Sequence, residues 1–198
     1  MRLKNIFLII LFIGVGERVI ACTCFPLDSL SAKQMMNEVD FVVIGHAIKN
    51  IGFNPEVNEM WDQRNQGYNV LIEIDSIVKG NLKSKTIFVR QFGGNCDQIF
   101  KFGEQYLIVG NQLEKFVYRT PKRRKTKKGE IPPTDMPPPP PSVYSRTAIF
   151  YDSSHEEVSY WNELANEQII VNTSICSSFY VTSKIASYYL NNRKMEYN

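Results

Sequence analysis

Two cysteines one residue apart, Cys22 and Cys24, stand directly behind a short apolar run, and the other two, Cys96 and Cys176, lie far downstream. No other feature restricts the fold as strongly. The apolar run, residues 6–15, follows Arg2 and Lys4 and leads into Val19-Ile20-Ala21. A charged start, an apolar middle and small residues at −3 and −1 make a secretory signal over 1–21, cut after Ala21. The run is too short to span a bilayer, so the expectation is a secreted, extracellular chain, or a cell-surface or periplasmic one if bacterial, with no transmembrane segment. In an oxidising compartment an even set of cysteines reads as two disulfides. A bridge between Cys22 and Cys24 would close a tiny strained ring, so each should reach a distant partner, one Cys96 and the other Cys176. Loops of about 70 and about 150 residues are worth on the order of 3–5 kcal/mol each in the chain-entropy account. That stabilisation holds a terminus that would otherwise fray.

A competing reading puts a lipid on Cys22 and makes the chain a surface lipoprotein. Glu17 and Arg18 argue against it, because they place charge just ahead of the cut. Lipidation would also leave Cys24, Cys96 and Cys176 as an odd set.

The chain of 198 residues, 43% hydrophobic and 22% charged, is long enough for one core, and the expected domain spans 22–190 with a tail at 191–198. Arg2, Lys4, Arg18 and Glu17 leave with the signal, so 23 basic and 20 acidic residues fall to 20 and 19. That near-neutral balance gives no case for a nucleic-acid partner. It also hides an asymmetry. The stretch KRRKTKK at 122–128 holds six basic residues, and seven of the ten prolines fall at 132–141, so 121–143 reads as a disordered basic and Pro-rich insertion. Without those six charges, the rest of the mature chain carries 14 basic against 19 acidic residues. The insertion reads first as solvated chain and second as a tether to an anionic glycan or surface.

Periodicity places a helix at 28–38, with Asp28 or Ser29 as N-cap, and a strand at 39–48. Residues 49–67 read as a long loop around Trp61, because Gly52, Pro55, Asn58, Asp62, Asn65 and Gly67 break any period. Strands follow at 68–78, with Val70, Ile72 and Ile74 on one face, and at 86–92. A tight connector, Gly93-Gly94-Asn95-Cys96, precedes a strand at 104–113 that leads into 115–119. Structure resumes at 145–151, pauses at 152–157 and continues at 169–175, and apolar spacing over 179–190 predicts a closing helix. The class is all-β with flanking helices, a barrel or sandwich.

Motifs for catalysis are missing. There is no HExxH, no Gly-x-Ser-x-Gly and no phosphate-binding glycine loop, and His46 and His155 are the only histidines. The chain therefore reads as a non-enzyme without a cofactor. An exported enzyme using scattered carboxylates is the remote alternative. His46, inside a strand, reads as a wall or surface residue rather than a ligand. Asn172-Thr173-Ser174 is a formal glycosylation acceptor that falls in a strand beside Cys176 and reads as chance.

The start of the mature chain, Cys22-Thr23-Cys24-Phe25-Pro26, resembles that of the tissue inhibitors of metalloproteinases. Further runs extend the resemblance. Phe41-Val42-Val43-Ile44-Gly45 is similar to the family's first strand, and YNVLIEIDSIVKG at 68–80 to its second. Cys96 sits in a connector, Tyr106-Leu107-Ile108-Val109-Gly110 takes the place of an FLIAG-like strand, and Thr173-Ser174-Ile175-Cys176-Ser177 takes that of a Thr-Thr-Cys-Ser-like run. The likeness covers the inhibitory, netrin-like domain, 22–190. The animal members' third bridge and second disulfide-rich domain have no counterpart here, and the 121–143 insertion is foreign to them.

The resemblance implies a five-stranded OB-fold-like barrel with flanking helices and disulfides Cys22–Cys96 and Cys24–Cys176. It also implies a secreted inhibitor of zinc metalloendopeptidases. The free amine and carbonyl of Cys22 would chelate the zinc of the target protease in trans, and Thr23 would enter its specificity pocket. Cys24, Phe25 and Pro26 would lie along the cleft, with Gly94, Asn95 and Cys96 widening the contact. Netrin-like domains also act as plain extracellular binding modules, which is the alternative function, including one anchored through a lipid on Cys22.

Overall fold

The computed structural model describes residues 24, 28–91, 96–119, 144–150 and 155–195. The signal 1–21, the insertion 121–143, and Cys22, Thr23, Phe25, Pro26, Gly94 and Asn95 lie outside the described residues. The described part is mostly β with four helices, and no helix in it is long and apolar enough to cross a membrane.

Helix α1 (Ser29–Glu38) starts where Asp28 and Ser31 form a reciprocal capping box, each side chain taking the other's backbone N–H. Strand β1 (Phe41–Asn50) follows, then α2 (Pro55–Asp62), β2 (Gln66–Gly67), β3 (Val70–Lys79) and β4 (Thr86–Arg90). Next come β5 (Phe100–Lys101), β6 (Gln105–Gly110), β7 (Lys115–Tyr118) and β8 (Thr147–Phe150). The chain ends with α3 (His155–Glu167), β9 (Ile170–Asn172), β10 (Ser178–Tyr180) and α4 (Lys184–Met195). One six-stranded sheet runs β10-β6-β1-β3-β4-β9, antiparallel throughout except for the parallel β4–β9 pair. It curls into a half-barrel. At its far edge Gln112 bridges Val171 and the Leu113 N–H donates to the Ile170 carbonyl at 2.7 Å, so the stretch behind β6 meets β9.

The curl has a local cause. Pairing between the ten-residue strands β1 and β3 shifts register at Val42/Val43, Ile44/Gly45 and Ala47/Lys49, and each irregularity adds bend and twist. At Gly45 the strands come so close that a Cβ would sit 2.4 Å from the Glu73 carbonyl oxygen and 2.6 Å from Ile72 Cγ2. Only glycine fits. Gly45→Ala is expected to cost about 1–3 kcal/mol, as overpacking against backbone does, read as a lowered midpoint in thermal unfolding; an unchanged midpoint would show that β1 and β3 can separate there freely. At the other end of β3, Gly80 has φ +96°, and a Cβ there would collide with the Asp40 carbonyl. The neighbouring Lys79 ammonium donates to the carbonyls of Met36 and Val39, closing the C-terminus of α1.

Alternation divides the apolar residues among three clusters. Phe41, Val43, Val70, Ile72, Tyr106 and Ile108 fill the inside of the curl. Their strand neighbours Val42, Leu107 and Val109 face outward and are covered by Ala32 and Met36 of α1 and Ala186 and Tyr189 of α4. Strand β6 is therefore buried on both faces. The third cluster joins Phe116 of β7, Ala148 and Phe150 of β8, and Val158 and Trp161 of α3. Strands β7 and β8 are parallel, which requires a long connection rather than a tight turn.

Three expectations need correction. Residues 49–67 are not one loop, because Pro55–Asp62 is helical: Asn54 accepts from the N–H groups of Glu56 and Val57, and Pro55 takes the first helical position. Trp61 lies on this helix, edge-on to Tyr68 and beneath the Arg64 guanidinium. The expected pause reaching 157 is overrun by α3, which begins at His155. The closing helix begins at Lys184, not 179, because Ser178–Tyr180 pairs with β6 and Ser183 Oγ accepts from the Ala186 N–H at the helix start.

Candidate functional site

The segment between β9 and β10 folds into a turn held by its own hydroxyls. Ser177, fully buried, accepts the Ser174 N–H at 3.0 Å and shares a hydrogen bond with Thr173 Oγ1 at 2.9 Å. Ser174 in turn accepts the Cys176 N–H on its Oγ at 3.1 Å, while its carbonyl takes the N–H groups of Ser177 and Ser178 and the Ser178 hydroxyl. Short polar side chains bonding nearby backbone are the chemistry of tight turns. Here they fix Cys176. It is bridged to Cys24 across a sequence separation of 152, with Cα atoms 5.3 Å apart, which ties the chain ahead of α1 to the body of the sheet. The asparagine of the formal glycosylation acceptor, Asn172, is buried in β9.

The same turn holds a third stretch. The N–H of Ile175 donates to the Cys96 carbonyl at 3.0 Å, and Cys96 is itself disulfide-bonded. The connector that carries Cys96 is clamped by Gln91, a buried side chain. Its amide donates to the carbonyls of Tyr68 at 2.6 Å and Gln98 at 2.7 Å, and its oxygen accepts the Gln98 N–H. The far end of the connector is thus fastened back to the residue that precedes it, and that residue to the chain ahead of β3. Gln91 carried no signal in the sequence, where it reads as a polar residue at the end of a strand.

Next to it Arg90 is a buried cation. Its guanidinium lies 4.2 Å from the centre of the Phe150 ring and 5.5 Å from that of Trp161, donates to the Gln91 carbonyl at 2.9 Å, and stands 3.8 Å from Glu157. Burial pushes its pKa down to about 10, against the pull of Glu157 and Asp97, so it stays charged at neutral pH. Through Arg90 the third apolar cluster is coupled to the connector.

Of the residues expected at a binding edge, Cys24 and Cys96 are both tied to the 173–178 turn, Cys24 through its bridge to Cys176 and Cys96 through the Ile175 N–H. Cys22, Thr23, Phe25, Pro26, Gly94 and Asn95 lie outside the described residues, as does the basic stretch 122–128. His46 is half-buried on the sheet, paired in register with Gln105 on one side and Glu73 on the other. Its Nδ1 is 3.1 Å from Asp75 Oδ1, and its Nε2 is 3.7 Å from Glu73 Oε2. Among the described residues, no three His, Cys, Asp or Glu side chains are grouped to hold a metal ion. No protein-family model matches this sequence, and no curated protein matches it.

Proposed function

We propose that this protein is a secreted inhibitor of zinc metalloendopeptidases built on a five-stranded OB-fold-like barrel. One observation carries the reading: the turn at 173–178 is bridged to Cys24 through Cys176 and bonded to the Cys96 carbonyl through the Ile175 N–H, so two of the cysteines expected at the edge are tied to one turn. An edge of that kind, fastened before it meets its partner, lowers the ordering cost of binding. The pairing of strands supports the barrel. β1 has neighbours β3 and β6, β4 has β3 and β9, and β9 reaches the stretch behind β6, so five strands can close on one another. Disulfides in the chain fit an oxidising compartment and hence export.

In this mechanism the Cys22 amine and carbonyl oxygen form a five-membered chelate on the protease zinc, taking the open position that a catalytic zinc keeps for water. Thr23 enters the specificity pocket, Cys24 to Pro26 follow the substrate cleft, and Gly94, Asn95 and Cys96 add contact beside them.

Titrating the mature protein against a panel of secreted zinc endopeptidases, with a serine endopeptidase as control, tests the reading. Stoichiometric inhibition competitive with substrate is expected for at least one zinc enzyme and none for the control. No inhibition of any member at about 10 μM, a concentration that would reveal even a weak complex, leaves the plain binding module in its place.

A further inference from the structure

The Ser177 carbonyl accepts the Val109 N–H towards one end of β6; a cleft opens at the other end, beside Gln105, on the order of 14 Å away by strand rise. Its volume is about 550 Å³, and its walls include His46, Asp75, Glu104, Gln105, Tyr180 and Thr182. That is within the size range of small-ligand sites. Among the described residues, no lysine or arginine lines it.

Asp75 is held in place from two sides. His46 Nδ1 lies 3.1 Å from Asp75 Oδ1 and 3.3 Å from Oδ2, and the Gln105 side-chain amide donates to Oδ2 at 2.9 Å, so Oδ1 keeps a lone pair for a further donor. Glu104 is exposed on the turn before β6, and its side chain makes no hydrogen bond or ion pair among the described residues. Tyr180 supplies an aromatic wall, stiffened by Tyr106 with ring centres 4.8 Å apart, and the Val181 N–H pins the floor to the Gln105 carbonyl at 3.1 Å. The rim continues to Glu73, beside His46 Nε2.

An anion would meet two carboxylates with no lysine or arginine among the described residues to offset them, and an apolar group would strip water from Asp75 and Gln105 without replacing their bonds. A group with several N–H donors, positive charge and an affinity for aromatic faces suits every wall. We infer that this cleft binds an organic cation, a primary ammonium or guanidinium such as a lysine or arginine side chain or a small free amine carries. The site is independent of the inhibitory edge and does not rest on it.

The test is a nuclear magnetic resonance titration of the mature protein, following the Gln105 side-chain amide and the backbone amides of 103–105 and 180–182. Three probes are used: a capped Ala-Ala-Lys-Ala-Ala peptide, the same peptide with its lysine acetylated, and butylamine. The lysine peptide is expected to shift these amides saturably, and the acetylated peptide to leave them unmoved. Butylamine acting alike shows that the ammonium suffices; binding by the lysine peptide alone shows that a polypeptide is the source. Glu104→Gln, at an exposed turn without side-chain bonds, should keep the fold and weaken binding about tenfold, and Asp75→Asn by at least as much; tenfold corresponds to about 1.4 kcal/mol. The inference is overturned if no cationic probe shifts the amides, if the acetylated peptide binds equally well, or if both variants bind like the parent. A zinc chloride titration that moves the amides when the amines do not would overturn it as well.

Discussion

With Ala21 retained in front of Cys22, the protein is expected to lose inhibition of every peptidase that the mature chain inhibits, by at least about 10³-fold, or roughly 4 kcal/mol. The reason is electronic as well as steric. A free α-amino group titrates near 7.7–8.0, so at neutral pH a fraction carries an available lone pair, whereas an amide nitrogen has none to give. The added residue removes one of the two chelating atoms and pushes a peptide unit into the space of the zinc. Folding should be untouched, because the Cys24–Cys176 bridge and the three apolar clusters do not involve Ala21. Equal thermal midpoints with unequal inhibition constants are therefore the expected pair of results. The sign of the pH effect follows. Inhibition by the mature chain should weaken as pH falls through the amine's range, since protonation competes with zinc. Equal inhibition by both forms would remove Cys22 from the zinc and sink the chelation mechanism, even if some other edge of the molecule blocked the enzyme.

Strong alternation made β1, β3, β4 and β6 legible to within a few residues, because Val70, Ile72, Tyr106 and Ile108 face one core while their neighbours do not. The helices missed by periodicity are those whose polar residues do structural work that sequence spacing does not expose. In α2, Asp62 looks like a loop residue, yet its carboxylate accepts the backbone and side-chain N–H groups of Asn50 at 2.7 Å each and fastens the helix to β1. The stronger signal was Asn54-Pro55-Glu56, an N-cap, a first-turn proline and an acidic residue in sequence. In α3, Val158, Trp161, Leu164 and Ala165 have helical spacing but are interleaved with Glu157, Glu163 and Glu167. Phe179 and Tyr180 carry the apolar pattern of α4 backward without a break, and only pairing with Leu107 and Tyr106 makes them a strand.

The candidate edge was legible through its cysteines, and the bridge from Cys24 to Cys176 is the one that the family resemblance implied. Its supports were not. Gln91 acts on carbonyls 23 and 7 residues away, and Arg90 depends on rings contributed by β8 and α3. Burial decides both roles, and burial of a single polar side chain leaves no period in a sequence. The same holds for His46, Asp75 and Gln105, brought together from positions about 30 residues apart by the β1–β3 and β1–β6 registers.

Replacing Cys24 and Cys176 together by serine should separate two roles of the bridge. The bond closes a sequence separation of 152, and chain entropy over such a loop is worth on the order of 4–5 kcal/mol even if a second bridge shortens the effective path. For a chain of this size each kcal/mol corresponds to about 2–4 °C, so the thermal midpoint should fall by about 10–20 °C. The sheet should survive well below that midpoint, since its clusters are built from residues other than cysteine. Far-ultraviolet circular dichroism at low temperature is the check. Under those conditions the proposed inhibitory edge should fail further than the fold. With its anchor gone, the chain ahead of α1 must be ordered on binding, at about 1–2 kcal/mol for each of one or two residues, which weakens inhibition by about 5–1,000-fold. The hydroxyl-held turn at 173–178 does not depend on the bridge for its hydrogen bonds, so its resonances should stay in place while those at the start of the mature chain sharpen. A double variant that loses stability but inhibits as strongly as the parent would confine the bridge to holding the fold, and the proposed role of Cys24 in presenting the terminus would be withdrawn.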